Sequence, residues 1–443
     1  MGLRLWNLGQ VPPRGETADE YAWIFLGSSL IQEHQPIAWS YFPYPEYDHR
    51  TIQGMYFPMV SPAMDHPPAF SLIPGLVQTL GGQSWDNPLS FFWLRLPMVG
   101  LSVLTMVLLY RWSLSWMDSR AALLTLALYA VSPTTALGNR MILAENLITP
   151  LVLGQLLLLD QPLRSRWAQW GVQIINFLHP LTKIAALVFS FVHLVVLATE
   201  KRWHETLTVL ASVLFGIAVL TFYVSLFDPE QFLQIQMLQG SFRHTTFLTT
   251  LLAFFGKPKA IDTVFFDGLL TAAKFAFIVL AFNLPAKLPV KRMYIFSLTY
   301  MLFLAATVGE WVQSPGTGGG HGSYGWYWYP LYPFFFAALG YILWQTISAG
   351  KRAAFLILSL FLILQLRLVF LYSGWITLGQ GGIPDLVVLT ILGVIGVQAF
   401  LPEKLWQKTS WAVVAIILLA SVASILIFNE GAYFQEATYF TVI

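Results

Sequence analysis

Two adjacent carboxylates, Asp19 and Glu20, lie in the stretch TADEYAW of a chain in which only 10% of the residues are charged. They follow a turn-rich stretch and open an apolar segment, so one of them could simply complement the positive N-terminal end of a helix. The alternative is chemical. A carboxylate at the border between water and lipid can meet a soluble hydroxyl and a lipid-borne group together, and it could act there as a general base.

A third acid and an imidazole follow in MDHPPAF, residues 64–70. The two prolines fit the first turn of a helix, and Asp65 could serve as the N-cap of that helix. The functional alternative is that Asp65 faces the same site as Asp19 and that His66 donates a hydrogen bond to a phosphate or a sugar. The sequence leaves both interpretations open.

Three further charged side chains lie near predicted membrane depth, where charge is costly and often functional. Arg140 and Glu145 occur in NRMILAEN, and they could bind a substrate or form a purely structural pair. Lys183, in HPLTK, is predicted to face outward among apolar walls, where it would favour an anion. Its side chain could instead extend to the interface without any further role.

Weaker candidates lie in two later segments. Arg243, in GSFRHTTF, and His321 could approach the same cavity. The glycine-rich stretch 314–333 lacks the Lys-Ser/Thr of a nucleotide-binding loop. We predict that its aromatic residues form an interfacial belt or a sugar-stacking surface; they are Tyr324, Trp326, Tyr327, Trp328 and Tyr329. Neither His321 nor His244 has a partner at the spacing of zinc ligands.

The elements that must position these side chains are predicted to be membrane helices. The chain has 443 residues, 56% of them hydrophobic, and a mean hydropathy of +0.64, which is too apolar for a soluble protein. Crossing a bilayer takes about 17 to 25 helical residues. Eleven runs qualify, at 91–110, 121–138, 142–160, 182–199, 206–226, 263–283, 293–309, 327–347, 353–372, 384–401 and 410–428. A shorter run at 167–180 brings the predicted number of crossings to about twelve. We predict an all-α, polytopic transmembrane helical bundle.

The distribution of charge predicts the orientation of this bundle. If residues 1–90 lie on one face, 13 of the 24 Lys and Arg residues fall in very short loops on the opposite face. They include Arg202, Arg292 and Lys404, and that face also holds the acids Asp160, Glu200 and Glu205. By the positive-inside rule those loops are cytoplasmic, so the candidate site faces outward. We predict one integral membrane domain over 1–443, in the inner or plasma membrane. It would comprise an outer segment 1–90, a catalytic transmembrane core 91–347 and C-terminal helices 348–443.

Within the outer segment, two short apolar stretches at 19–33 and 67–82 are interrupted by polar residues. Helices of this kind suit the membrane interface better than its apolar centre. We therefore predict two interfacial helices that form a shelf at the outer surface.

The order of these motifs resembles that of the GT-C membrane glycosyltransferases, in particular the protein O-mannosyltransferases and the bacterial aminoarabinose transferases. The resemblance covers most of the first 340 residues: an outward DE pair, an acid before HPP, "R…E…P" between early spans, then TK and WYWYPLYP. It implies transfer of a sugar from a polyprenyl-phosphate donor to an acceptor on the outer face, with inversion. Asp19 would be the catalytic carboxylate with Glu20 beside it, His66 would belong to the second loop motif, and Lys183 would contact the donor phosphate.

The sequence departs from the family pattern in two respects. The family usually has a spanning helix ahead of its DE pair, and no apolar run of that length precedes Asp19 here. In the mannosyltransferases the acid before HPP usually lies one residue further away than Asp65. The resemblance therefore leaves the role of Asp65 open.

The resemblance also implies cofactors and partners. The relatives generally need no metal, so we predict no cofactor; the alternative is a divalent ion held by Asp19, Glu20 and Asp65. The predicted partners are a polyprenyl-phosphate-linked sugar and membrane lipids, with no nucleic acid. The main rival function is a flippase or transporter for lipid-linked sugars, which would also explain charges within the membrane. A non-catalytic assembly subunit and an oligosaccharide transferase are further alternatives.

Overall fold

The computed structural model describes residues 1–12, 19–160, 166–241, 267–282, 285, 287–307, 325–363, 365 and 383–429. Helices dominate this part of the chain, as predicted. They are α1 (Gly2–Leu5), α2 (Asp19–Gln32), α3 (Leu72–Leu80), α4 (Phe91–Ser113), α5 (Ser119–Val131), α6 (Pro133–Gly138), α7 (Glu145–Leu159), α8 (Arg166–Thr182), α9 (Leu187–Thr199), α10 (Trp203–Ser225), α11 (Pro229–Ser241), α12 (Gly268–Phe282), α13 (Leu288–Thr307), α14 (Tyr332–Ser348), α15 (Arg352–Leu362), α16 (Ile383–Gln398) and α17 (Glu403–Asn429). Short 3₁₀ helices run over Ile184–Ala186 and Gly325–Leu331.

Four of the described helical segments are long and apolar enough to cross a membrane. They are Phe91–Ser113, Trp203–Ser225, Tyr327–Ser348 and Glu403–Ile427. Other apolar helices, such as α7, α9 and α12, have only 10–17 residues. An integral membrane protein fits these lengths, but the predicted number of about twelve spans is not confirmed.

A small antiparallel sheet lies between α2 and α3, and the sequence analysis did not predict it. Its strands are β1 (Ala38–Trp39), β2 (Asp48–Ile52) and β3 (Met55–Val60), in the order β1-β3-β2. Ile52 pairs with Met55, so β2 and β3 form a hairpin with a two-residue turn. Gln53 and Gly54 both have positive φ, at 52° and 83°, which suits the twist of a tight hairpin.

The outer segment folds around α2, whose residues Glu20 to Ser29 are all buried. Tyr21 illustrates the packing: its ring lies 5.1 Å from that of Phe57 in β3 and 5.2 Å from that of Phe91 in α4. Helix α3 packs on the opposite side of α2 through Gly75, which approaches Gly27 closely. Helix α2 is therefore held between the sheet, α3 and the first long apolar helix.

The two helices predicted in the outer segment both exist, although the second is shorter than predicted. Residues 67–71 precede α3 as a turn, because Ala69 N–H donates to the carbonyl of Leu181 at the end of α8 and the Ser71 hydroxyl bonds Pro68 O. That α2 and α3 lie in the membrane interface stays a prediction.

Candidate active site

One cavity gathers most of the described candidate residues. Its wall is formed by α2, the segment around β1, the turn before α3, the start of α7, the end of α8, α11 and the 3₁₀ helix before α14. The lining residues are Asp19, Ala22, Trp23, Trp39, Tyr41, Phe42, Asp65, His66, Leu143, Glu145, Lys183, Gln239 and Tyr327. Five of the candidates predicted from sequence thus share one hollow: Asp19, Asp65, His66, Glu145 and Lys183.

Asp19 and Glu20 open α2, but their side chains have different surroundings. Successive residues of a helix point about 100° apart, so neighbours in sequence face different elements. Asp19 is partly exposed and lines the cavity. Both carboxylates lie in the first turn of α2, where the helix dipole stabilises negative charge.

Glu20 does not line the cavity; its side chain is fully buried against α4. Its two carboxylate oxygens accept hydrogen bonds from Arg95 Nε at 2.9 Å and Nη2 at 2.6 Å, and Oε1 also accepts from Ile142 N–H. Both side chains of the pair are 0% exposed. This bonding fixes the start of α2 against α4, which favours a structural role for Glu20 over contact with a substrate.

Asp65 lies in the cavity wall and is held by the side chains of three residues. Its Oδ1 accepts from the Tyr44 hydroxyl at 2.7 Å, and its backbone carbonyl accepts from Gln236 and Gln239 of α11. Burial raises the pKa of Asp65 to about 6, and the nearby charge of Asp19 acts in the same direction, whereas the Tyr44 hydrogen bond opposes the rise. Asp19 and Asp65 are therefore electrostatically coupled carboxylates in one cavity.

His66 lies beside Asp65 and stacks on Trp23 of α2. The two rings are 4.4 Å apart at their centroids and 19° from parallel. Both side chains line the cavity. The stacking fixes the plane of the imidazole, so its ring nitrogens have restricted directions in which to bond.

Glu145 and Lys183 form an ion pair across the cavity wall. Lys183 Nζ lies 2.5 Å from Glu145 Oε1, and the side chains are 17% and 2% exposed. Glu145 begins α7, where the helix dipole favours its charge. The ammonium of Lys183 also lies 4.6 Å from the centroid of the Tyr327 ring. Tyr327 is buried rather than part of an interfacial belt, and so are Trp328 and Tyr329, so the belt prediction is wrong for these three residues.

The structure places Arg140 outside the cavity, contrary to the prediction that it binds the substrate. Its guanidinium is fully buried and donates to the carbonyls of Val11 and Leu3. Arg95 similarly donates to the carbonyls of Leu8 and Pro12. The turn at 139–144 directs Arg140 toward residues 1–12, where its guanidinium bonds the backbone of α1 and of Val11.

Arg243, His321 and Tyr324 lie outside the described residues, so their predicted roles remain predictions. Among the described residues, no group of three His, Asp or Glu side chains is arranged to hold a metal ion. Asp19 and Asp65 share the cavity, whereas the carboxylate of Glu20, the third suggested ligand, is bonded to Arg95.

Sequence analysis missed several residues that shape this site. Arg95 was the easiest of them to predict from sequence, because an arginine inside the predicted span 91–110 indicates a functional or structural role. Tyr44 and Gln239 gave no such signal: each depends on a contact between distant segments. The aromatic wall formed by Trp39, Tyr41 and Phe42 belongs to the unpredicted sheet region.

Comparison with known proteins supports a fold but identifies no sequence family. No family model and no curated protein matches the sequence. ArnT from Cupriavidus metallidurans bound to undecaprenyl phosphate is similar in structure, with a TM-score of 0.59 and 15% identity over 97% of this chain and 75% of ArnT. For ArnT in the apo state the TM-score is 0.56 at 15% identity, over 93% of this chain and 72% of ArnT.

A third similar structure, the oligosaccharyltransferase AglB from Archaeoglobus fulgidus in complex with an inhibitory peptide and a dolichol-phosphate, has a TM-score of 0.42. Its identity is 11% over 88% of this chain and 52% of AglB. The likeness to ArnT shows that this chain shares the fold of ArnT over almost its whole length.

Proposed function

We propose that this chain is a membrane glycosyltransferase that moves a sugar from a polyprenyl-phosphate donor to an acceptor hydroxyl. The observation that carries the proposal is that Asp19 and Lys183, from elements 164 residues apart, line one cavity. A transfer of this kind needs a base for the acceptor and a cation for the departing phosphate. One carboxylate and one ammonium on the same hollow meet both needs.

In the proposed reaction the bond between the sugar's anomeric carbon and the phosphate oxygen breaks as the acceptor oxygen attacks from the opposite side. Asp19 takes the proton of the acceptor hydroxyl. Lys183 donates a hydrogen bond to the phosphate, which leaves as a phosphomonoester with the bonding electrons. A single displacement of this kind inverts the configuration of the sugar.

Asp65 and His66 are proposed to orient the sugar or the acceptor. The Tyr44 hydrogen bond and the stacking on Trp23 restrict both side chains, and positioned groups lower the entropic cost of reaching the transition state. Glu20 is proposed to be a positioning residue, because its bond to Arg95 fixes the helix turn that carries Asp19.

The fold comparison supports the donor class. The similar ArnT structure is bound to undecaprenyl phosphate, so a protein of this fold can bind a lipid phosphate. The sugar transferred and the acceptor remain open within this proposal, and the orientation of the cavity toward the outer face rests on the distribution of Lys and Arg.

The test is sugar transfer by the purified protein from polyprenyl-phosphate sugars to candidate acceptors, with the variant Asp19→Asn. The variant keeps the side chain's shape and removes its basicity, so transfer should fall about 10²- to 10⁴-fold. The matched control is Asp48→Asn, an acid that is exposed in β2 and is not part of the cavity lining, which should retain parental transfer.

An Asp19→Asn variant that folds and transfers at the parental rate would overturn the assignment of the base. A parent that moves lipid-linked sugar across a bilayer without forming a new glycosidic bond would instead favour a flippase. The readout that separates the two functions is whether the sugar becomes covalently attached to the acceptor or stays on its lipid carrier.

A further inference from the structure

The ion pair in the cavity raises a question about charge that the proposed reaction does not answer. The described lining residues include three carboxylates, Asp19, Asp65 and Glu145, and one ammonium, Lys183. Glu145 already neutralises that ammonium at 2.5 Å. A phosphate entering this part of the site therefore meets a cation whose charge is compensated.

Geometry indicates that Lys183 keeps Glu145 when a ligand binds. The carboxylate of Glu145 is 2% exposed, so without Lys183 it would be a buried charge lacking its ion-pair partner, which is costly. An ammonium has three N–H donors. One of these donors bonds Glu145, and the ring of Tyr327 covers another side of the ammonium. A phosphate oxygen can therefore approach the ammonium from a restricted range of directions.

We infer that Glu145 sets the charge selectivity of the phosphate site, so that the site holds a singly charged phosphodiester better than a doubly charged phosphomonoester. This inference rests on the proposed function, in which the donor is a diester and the product lipid phosphate is a monoester. A monoester carries close to two negative charges near neutral pH, because its second proton leaves near pH 6. Repulsion from Glu145 then weakens product binding and favours release of the spent carrier.

The experiment uses two matched probes, farnesyl phosphate and its methyl ester, which differ only in whether one phosphate oxygen is capped. Binding to the full chain in lipid nanodiscs is measured by isothermal titration calorimetry. In the parent, the monoester should bind about as well as the diester at pH 5 and about tenfold more weakly at pH 8.

Glu145→Gln should tighten both probes and reduce the ratio of the two dissociation constants at pH 8 to near one. Glu230→Gln, an acid of α11 that bonds only Gln234 among the contacts described, is the matched control and should leave the ratio unchanged. A ratio that is the same in Glu145→Gln as in the parent overturns the inference. If Glu145→Gln does not fold, a parental ratio near one at pH 8 overturns it equally.

The other titratable groups of the cavity are controlled separately. Asp19 and His66 affect the binding of both probes, so taking the ratio of the two dissociation constants reduces the contribution of these residues. Asp65, whose pKa is raised to about 6 by burial, titrates in the same range as the monoester. Its carboxylate bonds Tyr44 rather than Lys183, so Asp65→Asn should keep most of the pH 8 ratio. If Asp65→Asn abolishes the ratio and Glu145→Gln does not, the inference is wrong.

Lys183→Met distinguishes failure of this inference from failure of the proposed function. If the site binds phosphate through Lys183, this variant weakens both probes at both pH values. If it weakens neither, the phosphate site of the proposed function is wrong. If it weakens both while the parental ratio stays near one, only the charge selectivity is wrong.

Discussion

At the scale of single residues, the pair of Glu20 and Arg95 has a structural role that can be tested separately from catalysis. Their bidentate ion pair is fully buried. Glu20 also accepts a hydrogen bond from Ile142 N–H, and Arg95 also donates to the carbonyl of Pro12. Removing one partner leaves the other charge buried and uncompensated, so we expect Glu20→Gln to lower the free energy of unfolding by about 3 to 5 kcal/mol. Thermal unfolding of the purified protein in detergent measures this loss.

The control for Glu20→Gln is Arg50→Gln, which breaks exposed ion pairs with Asp48 and Asp86 and should cost about 1 kcal/mol or less. The double variant Glu20→Gln with Arg95→Met should recover part of the loss, because no single buried charge remains. If Glu20→Gln unfolds like the parent but loses transfer, Glu20 has the chemical role that its position beside Asp19 first indicated.

The sequence located the charged residues of the site but not their partners. Arg140 and Glu145 are five positions apart, which made a pair between them one of the two interpretations. The structure instead pairs Glu145 with Lys183, 38 positions away, and directs Arg140 to the carbonyls of Val11 and Leu3. Which charges meet depends on how helices pack, and spacing in sequence carries little of that information.

At the scale of elements, the close contact between α2 and α3 helps to position the helix that carries Asp19. A Cβ atom added at Gly75 would lie 2.2 Å from the backbone carbon of Gly27, closer than packed atoms approach. We expect Gly75→Ala to push the two helices apart, to lower stability by about 1 to 3 kcal/mol and to reduce transfer, because α2 carries Asp19. Thermal unfolding and the transfer assay measure the two effects.

Gly100→Ala provides the matched comparison for this substitution. Gly100 lies in the interior of α4, and a Cβ atom there would have no heavy atom within 4 Å. Alanine costs less backbone entropy than glycine in a helix, so this variant should gain up to about 1 kcal/mol. Equal behaviour of the two variants would mean that the close approach of α2 and α3 does not limit the position of Asp19.

Helices were predictable at this scale, whereas the sheet was not. Long apolar runs gave positions for α4, α10 and α17 that the structure reproduces closely. Strand β2 reads DHRTI and is largely exposed, so it has no alternation of apolar and polar residues for a pattern to detect. Strand β1 has two residues, and its existence depends on pairing with β3.

At the scale of the whole molecule, residues assigned to the same membrane face by charge contact one another. Arg292 bonds Asp160 and Glu200, and Arg202 bonds Glu200 and Glu205; all five were assigned to the cytoplasmic face. These ion pairs join the ends of α7, α9, α10 and α13. The residues of the cavity, assigned to the outer face, include none of the partners in these ion pairs.

The absolute orientation of these two groups can be measured directly, because the chain contains no cysteine. A single cysteine introduced at an exposed position is then the only thiol of the protein. Glu46 belongs to the segment predicted to face outward, and Lys404 belongs to a loop predicted to be cytoplasmic; both positions are exposed. In intact cells, a membrane-impermeant maleimide should label Glu46→Cys and should label Lys404→Cys only after the membrane is opened. The parent measures background labelling.

The reverse pattern would put the cavity on the cytoplasmic side. A soluble acceptor on the outer face could not then reach Asp19, so the proposed transfer would have to take place in the cytoplasm.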